Sequence, residues 1–144
     1  MVKILLAVDG SDSAVRATRK LVETLSWYKH VPHVELVNVH HPLPYMAGIS
    51  GVVVTQEMRA AYYKEEGELA LAPSVKVLEE AGVRYAAHIL VGDVAQTIVH
   101  HAHQSACAMI YMGTRGMTAI GNLVLGSVPT KVLHLTDVPV VLVR

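Results

Sequence analysis

Glycines recur between an apolar run and a candidate helix in the segment GTRGMTAIGNLVLGSVPTK, residues 113–131. The spacing is Gly113-x2-Gly116-x9-Gly126-Ser127. Glycine at a strand end permits positive φ and lets a ligand approach the backbone without meeting a Cβ atom. Gly126 and Ser127 fall where a helix begins, and the free N–H groups and dipole of a helix start attract phosphate. The segment therefore predicts a site for a small phosphorylated ligand, with the Ser127 hydroxyl as an additional donor.

Two better-known phosphate loops do not account for this pattern. Gly116 and Gly121 have the spacing of the P-loop glycines, but Asn122 and Leu123 follow where Lys and Ser or Thr are required. No G-x-G-x-x-G sequence follows the first apolar run, so the dinucleotide fingerprint is missing. Without the P-loop lysine, and with no general base or nucleophile that geometry supports, we assign no catalytic residue.

Alternating periodicities predict the elements that position the segment. Apolar runs predict five strands, at 3–8, 33–40, 83–91, 108–112 and 138–143. Helical spacing predicts four helices: 11–25, with Ser11 or Asp12 as the cap, 55–80, one that follows Gly92-Asp93, and 127–135. Gly67 and Pro73 are expected to kink or divide the second helix.

Strands that alternate with helices indicate a doubly wound α/β domain, a parallel sheet covered by helices on both faces. The whole chain, residues 1–144, is expected to form this single domain. Ligands of such sheets bind beyond the carboxyl ends of the strands, where the strand order reverses. Asp9 and Gly113 each directly follow a predicted strand, so both are expected at that edge.

Composition limits the partners that the chain can have. The sequence is 52% hydrophobic and 17% charged, with twelve basic and twelve acidic residues, so charge gives no support to a nucleic-acid partner. No apolar stretch approaches the roughly 18 residues that a membrane-spanning helix needs. One cysteine, Cys107, excludes an intrachain disulfide. We therefore expect a cytoplasmic protein with no membrane partner.

Four short motifs, two of them within the glycine segment, carry a resemblance to a known family. AVDGSD follows the first strand, GTRG and LGSV occupy the glycine segment, and the chain ends in PVVLVR. With these motifs the chain resembles the universal stress protein family, in its ATP-binding branch, over essentially its whole length. The resemblance implies a five-stranded parallel sheet of order 3-2-1-4-5, an adenine-nucleotide alpha-hydrolase-like fold. It also implies a homodimer in which the last strand pairs across the dimer axis.

The same resemblance implies that the ligand is ATP, or ADP or AMP, with Mg²⁺ or Mn²⁺ bridging phosphate oxygens and no metal held by the protein itself. It places Asp9 near the adenine and ribose, Val39 at the adenine, and Met112 with Gly113 beside the ribose. The implied nucleotide contacts are Ala7, Val8, Asp9, Val39, Met112, Gly113, Arg115, Gly116, Gly126, Ser127 and Val128.

The phosphates would be held by Gly116, Gly126, Ser127 and Val128, chiefly through backbone N–H groups. Arg115 either reaches phosphate or points to solvent, and both alternatives stay open. Pro129 removes one N–H from the first helical turn, where proline is tolerated. Residues 117–125 form an arch that need not touch the ligand, and residues 41–54 show no family pattern.

The nine histidines predict no metal site. His100, His101 and His103 lie close together, but on a helix they fall away from the apolar face formed by Ala95, Ile98, Val99 and Ala102, so we expect them to be solvated. His40 ends the second strand near the expected pocket and is interpreted as an ordinary strand-end histidine. Cys107 is expected to be a buried small hydrophobe.

Three functions remain compatible with the sequence. The first is a regulatory homodimer in stress response that responds to its nucleotide state. The second is a slow ATPase or phosphoryl-transfer enzyme, at most a weak ATPase. The third is a nucleotide-free interaction module, which the intact glycines and Ser127 disfavour.

Overall fold

The computed structural model describes residues 1–43, 53–116 and 124–144. The elements are β1 (Lys3–Ala7), α1 (Asp12–Leu25), β2 (His33–His40), α2 (Gln56–Glu80), β3 (Tyr85–Val91), α3 (Val94–Gln104), β4 (Met109–Gly113), α4 (Ser127–Leu135) and β5 (Val140–Val143). All strand pairs are parallel, and the sheet has the order β3-β2-β1-β4-β5. The predicted fold class and strand order are confirmed.

The central strand β1 separates two apolar layers. Ile4 and Leu6 pack with α1 and α2, whereas Leu5 and Ala7 face the layer that contains α3 and α4. Successive side chains of a strand point to opposite faces, so burial of both faces requires the nearly continuous apolar sequence of this strand. The sheet is therefore covered on both sides, as a doubly wound domain requires.

A capped turn connects β1 to α1 and fixes the position of Asp9. Ser11 is the N-cap of α1, and its side-chain oxygen accepts a hydrogen bond from the Ala14 N–H at 3.2 Å. The Asp9 carboxylate accepts from the Ser11 N–H at 3.0 Å. Gly10 has φ +83°, a left-handed conformation that favours glycine. Of the two predicted caps, Ser11 rather than Asp12 fills the role.

The long helix α2 is not divided at Pro73, so that alternative of the prediction is wrong. Its buried face, which includes Gly67, continues past the proline, and the Ser74 hydroxyl makes a buried hydrogen bond of 2.8 Å with Thr18 of α1. This tertiary packing maintains one helix despite the N–H that proline lacks. No helix within the described ranges combines the length and apolar character needed to cross a membrane.

Two parts of the sequence predictions lie outside the described residues. They are residues 44–52 of the segment without a family pattern, and residues 117–123 of the arch, including Gly121. The predicted strands also differ slightly at their ends. Val8 lies beyond β1, and β3 and β5 each begin two residues later than their apolar runs.

Cys107 is buried, as predicted, and burial raises its pKa to about 11. Only the thiolate reacts with alkylating agents. At pH 8 we therefore expect alkylation of native Cys107 by iodoacetamide to be roughly a hundredfold slower than after denaturation, because far less thiolate is present. Mass spectrometry of timed samples measures both rates, and equal rates in the native and the denatured chain would contradict the assigned burial.

Candidate functional site

A pocket opens at the carboxyl ends of β1 and β4, beside β2 and α3. It is lined by Ala7, Val8, Asp9, Ala14, Val37, Val39, Val94, Ile98, Met112, Gly113, Arg115, Gly116 and Pro129. Eight of the eleven predicted contact residues are in that lining: Ala7, Val8, Asp9, Val39, Met112, Gly113, Arg115 and Gly116. Gly126, Ser127 and Val128 are not part of the lining, but Pro129 of the same helical turn is. The structure thus brings residues from distant parts of the sequence to one place.

Apolar side chains form the inner walls of this pocket. Val37 and Val39 face it from β2, and Val94 and Ile98 face it from the first turns of α3. Sequence reasoning missed Val37, Val94 and Ile98. The sequence did place Ile98 on the core face of α3. It did not indicate that this face extends to the edge of the sheet where the ligand is expected. The walls form an apolar slot, while the charged groups Asp9 and Arg115 also line the pocket.

Gly113 and Gly116 are needed for space rather than for a left-handed backbone, which corrects the sequence expectation. A Cβ atom at Gly113 would meet the Ser13 Oγ atom and would lie 2.9 Å from the Ser13 backbone carbon and oxygen. A Cβ atom at Gly116 would lie 3.0 Å from Asp9 Oδ2. Among the described glycines, positive φ values occur at Gly10, Gly82 and Gly92. Gly113 therefore lets the end of β4 pass closely against the start of α1, whereas Gly116 lies close to the Asp9 side chain.

Hydrogen bonds fix the backbone that leaves β4. The Ser13 Oγ atom accepts from the Arg115 N–H at 3.3 Å, and the Thr114 N–H donates to the Val143 carbonyl at 3.0 Å. The Gly126 N–H donates to the Thr114 carbonyl at 2.6 Å, which brings the start of α4 beside the end of β4. The Gly126 N–H is therefore engaged within the protein, while its expected contact with phosphate stays a prediction.

The start of α4 leaves backbone donors for an anion. Gly126 is the N-cap, and no side chain caps the helix. Pro129 has no N–H, so Ser127 and Val128 are the first-turn residues whose N–H groups can donate to a ligand. No partner for these two N–H groups is found among the described residues, and together with the helix dipole they favour negative charge at this position.

Arg115 lies between the pocket and a neighbouring depression. It lines both, together with Gly116. The depression also contains Arg16 of α1, a second cationic residue that sequence reasoning did not select. Two arginines thus line the cavities on the side of α1, Arg115 in both and Arg16 in the depression.

A salt bridge connects the starts of the two helices on this face of the sheet. Lys131 of α4 donates to Asp93 Oδ2 at 2.7 Å, and Asp93 Oδ1 caps α3 by accepting from the Gln96 N–H at 3.0 Å. The hydrogen bond from Lys131 holds the pKa of Asp93 below its ordinary value, and the bond from Gln96 acts in the same direction. The pair helps to position the helices that contribute Val94 and Pro129 to the pocket.

His40 lies on the other face of the sheet. Its ring centroid is 6.0 Å from that of Tyr63 of α2, whereas the preceding residue Val39 lines the pocket. Adjacent strand residues point to opposite faces, which accounts for the separation. The interpretation of His40 as an ordinary strand-end histidine is consistent with this position.

His101 is not solvated, which corrects the expectation for the histidines of α3. Its side chain is 14% exposed and contacts His88 of β3, with ring centroids 4.5 Å apart. His101 follows Ile98 by three positions, so it lies one turn farther along the border of the buried face and meets the sheet. His100 and His103 are exposed, as expected.

Both rings lie beside a carboxylate, that of Glu35 of β2. Its Oε2 atom lies 2.7 Å from His88 Nε2 and 3.6 Å from His101 Nε2, and Lys3 Nζ lies 3.0 Å from Oε1. Burial acts to raise the pKa of Glu35, but the hydrogen bonds and charges of Lys3 and His88 outweigh it and lower the pKa. Burial lowers the pKa of His101, and the charge of His88 lowers it further.

Comparison with known proteins gives consistent matches over the chain. The model of the Universal stress protein family matches residues 1–144. A universal stress protein of Thermus aquaticus is 35% identical over 146 residues, covering 98% of this chain and 97% of the relative.

Two solved structures share the fold. A universal stress protein in complex with cAMP has a TM-score of 0.71 at 20% identity, covering 99% of this chain and 97% of its own. The universal stress protein of Archaeoglobus fulgidus in complex with dAMP has a TM-score of 0.68 at 24% identity, covering 100% and 98%.

Proposed function

The chain belongs to the universal stress protein family, and from that premise we propose that it binds an adenine nucleotide at the carboxyl ends of β1 and β4. In this proposal the protein is itself a cytoplasmic homodimer that acts as a regulator in stress response according to its nucleotide state. The observation that carries the proposal is the pocket itself, in which Asp9, Val39, Met112 and Arg115 converge from three strand ends. The cAMP and dAMP complexes of proteins with the same fold support an adenine ligand.

The lining of the pocket matches the parts of a nucleotide. The apolar slot beside Val39 and Ile98 suits a flat base. The Asp9 carboxylate can accept hydrogen bonds from the ribose hydroxyls. The phosphates extend toward the start of α4, where the N–H groups of Ser127 and Val128 donate to them. This orientation places ATP, ADP or AMP with its charge at the positive end of the helix.

A divalent cation fits this arrangement only through the phosphates. Asp9 is the sole carboxylate among the described residues that line the pocket, and its Oδ1 atom already accepts from the Ser11 N–H. Mg²⁺ is commonly bound through one or two carboxylates, water and substrate phosphates rather than by an all-protein cage. Bound Mg²⁺ or Mn²⁺ would neutralise phosphate charge, while Asp9 and the α4 donors orient the nucleotide.

The pocket favours binding over turnover. Its ionisable lining residues within the described ranges are Asp9 and Arg115, so it has no lysine or histidine to stabilise phosphoryl transfer or move a proton. This composition disfavours an efficient ATPase as the alternative function.

Dimerisation through β5 is part of the proposal. Within the described chain, β5 pairs only with β4, so its outer edge is open. All four residues of the strand are half-buried. An open edge presents unpaired N–H and carbonyl groups that a second copy can satisfy. Antiparallel pairing of two β5 strands would join the sheets of two protomers.

Mass spectrometry of small molecules released from the purified protein tests the proposed function. We expect an adenine nucleotide near one equivalent per chain, or stoichiometric ATP binding after its removal. With Mg²⁺ present, hydrolysis is expected to stay below about one turnover per minute, far under the typical enzyme range. A protein that is consistently empty and does not bind added ATP would favour the interaction module, and faster turnover would favour the enzyme.

A further inference from the structure

We propose that Glu35, His88 and His101 form a binding site for a divalent transition-metal ion of the zinc class. The three side chains come from β2, β3 and α3, and none of them lines the nucleotide pocket. Their ligand atoms, one from each side chain, all lie within 4.8 Å of one another. The site is independent of the proposed nucleotide function.

The distances from Glu35 to the two histidines are close to the distances between ligand atoms around a bound zinc ion. Zinc–nitrogen and zinc–oxygen bonds of about 2.0–2.1 Å in a tetrahedron place neighbouring ligand atoms roughly 3.3 Å apart. Glu35 Oε2 lies 2.7 Å from His88 Nε2 and 3.6 Å from His101 Nε2, on either side of that value. The His88 and His101 ligand atoms lie within 4.8 Å of each other, so the side chains would adjust to admit the ion, which would replace the Glu35–His88 hydrogen bond.

The surroundings keep the ligands in place. Glu35 is 6% exposed, and its second oxygen, Oε1, is held by Lys3 at 3.0 Å. A ligating carboxylate whose other oxygen is hydrogen-bonded is an arrangement common at metal sites. The Lys3 ammonium repels a cation, but the negative charge of Glu35 offsets that of Lys3, and the two imidazoles supply neutral donors.

Solvent supplies the fourth ligand. His88 is 32% exposed, so water reaches the cluster from its side. Two His and one Glu with one open position is a ligand set that binds zinc in proteins. Two imidazole donors also favour Zn²⁺, Co²⁺ or Ni²⁺ over Mg²⁺ and Ca²⁺, which prefer oxygen ligands.

The ion would join the hydrogen-bonded strands β2 and β3 to α3, which packs against them. β2 and β3 are neighbours in the sheet, and α3 crosses over them with His101 one turn beyond Ile98 of the nucleotide pocket. A ligand that binds only the folded chain stabilises it. Zinc binding is therefore expected to raise the melting temperature of the protein.

Titration of the metal-free full chain with Zn²⁺ alone tests the site. We expect one equivalent to bind, and we expect His88→Ala and His101→Ala to weaken binding at least roughly a hundredfold, since even the outer partners of metal ligands contribute 10–100-fold. His100→Ala and His103→Ala are matched controls on the exposed side of α3, and Cys107→Ala tests the nearby thiol. All three should bind zinc like the wild type.

Equal zinc affinity in the wild type and His101→Ala would overturn the proposal, as would a loss of binding in His100→Ala or Cys107→Ala. Circular dichroism without metal establishes that each variant folds. If a variant does not fold, a crystal soak of the wild-type protein still tests the site. Crystals soaked with Zn²⁺ should show an anomalous peak between Glu35, His88 and His101, and a soaked crystal without that peak would overturn the proposal.

Discussion

Gly126→Asp is expected to abolish adenine-nucleotide binding while the protein stays folded. Gly126 is the N-cap of α4, with φ −71° and ψ 168°, a conformation that aspartate adopts readily. The new carboxylate would accept from the Val128 N–H, the donor assigned to phosphate, and would place a negative charge beside the ligand. Two like charges 4 Å apart repel by about 4 kcal/mol at an effective dielectric constant of 20, so a loss of at least about a hundredfold is expected. Calorimetric titration with ATP measures it.

Two control variants separate the contributions to that loss. Gly126→Ala adds only a Cβ atom, 3.3 Å from the Thr114 carbonyl, and should weaken binding least. Gly126→Asn occupies the Val128 N–H without charge and should be intermediate. Stability should change by about 1 kcal/mol or less in the Asp and Asn variants, because both residues are good N-caps. Unchanged ATP affinity in Gly126→Asp would show that phosphate does not lie at the start of α4.

Gly113→Ala is expected to destabilise the fold itself, by about 3 kcal/mol or more, at the upper end of overpacking effects. The added Cβ atom would lie 2.9 Å from the backbone carbon and oxygen of Ser13. Backbone in the first turn of α1 cannot move aside without disturbing the Ser11 cap and the Arg115–Ser13 hydrogen bond. Urea denaturation followed by circular dichroism gives the change in the free energy of unfolding.

Gly116→Ala is the matched control for that substitution. Among the described residues its Cβ atom would meet only the Asp9 carboxylate, at 3.0 Å, and that group is the movable end of a side chain. The cost to stability should stay below about 1 kcal/mol. If the two alanine variants proved equally stable, the close approach of β4 to α1 would not be the reason for glycine at position 113.

The strands and helices and the place of the pocket were accessible from the sequence because each depends on local patterns. The apolar run of β1, the turn at Asp9 and Gly10, and the helix start at Ser127 follow from periodicity and turn chemistry. Parallel crossovers then bring the ends of β1 and β4 to one edge. The strand order itself came from the family resemblance, not from these patterns.

The errors arose where tertiary packing decides the outcome. Helical periodicity placed His101 outside the apolar face of α3. His101 lies at the border of that face, however, and its side chain contacts His88 and Glu35 of the sheet. Pro73 does not divide α2, because the packing of the helix continues beyond it. Composition alone also does not reveal that glycine at position 113 avoids the Ser13 backbone.

A crystal structure of the protein with ATP and Mg²⁺ tests the central claim most directly. The account predicts the base in the slot beside Val39 and Ile98, the ribose at Asp9, and phosphate oxygens within hydrogen-bonding distance of the Ser127 and Val128 N–H groups. Nucleotide bound elsewhere, or an empty pocket at a saturating ATP concentration, would contradict it.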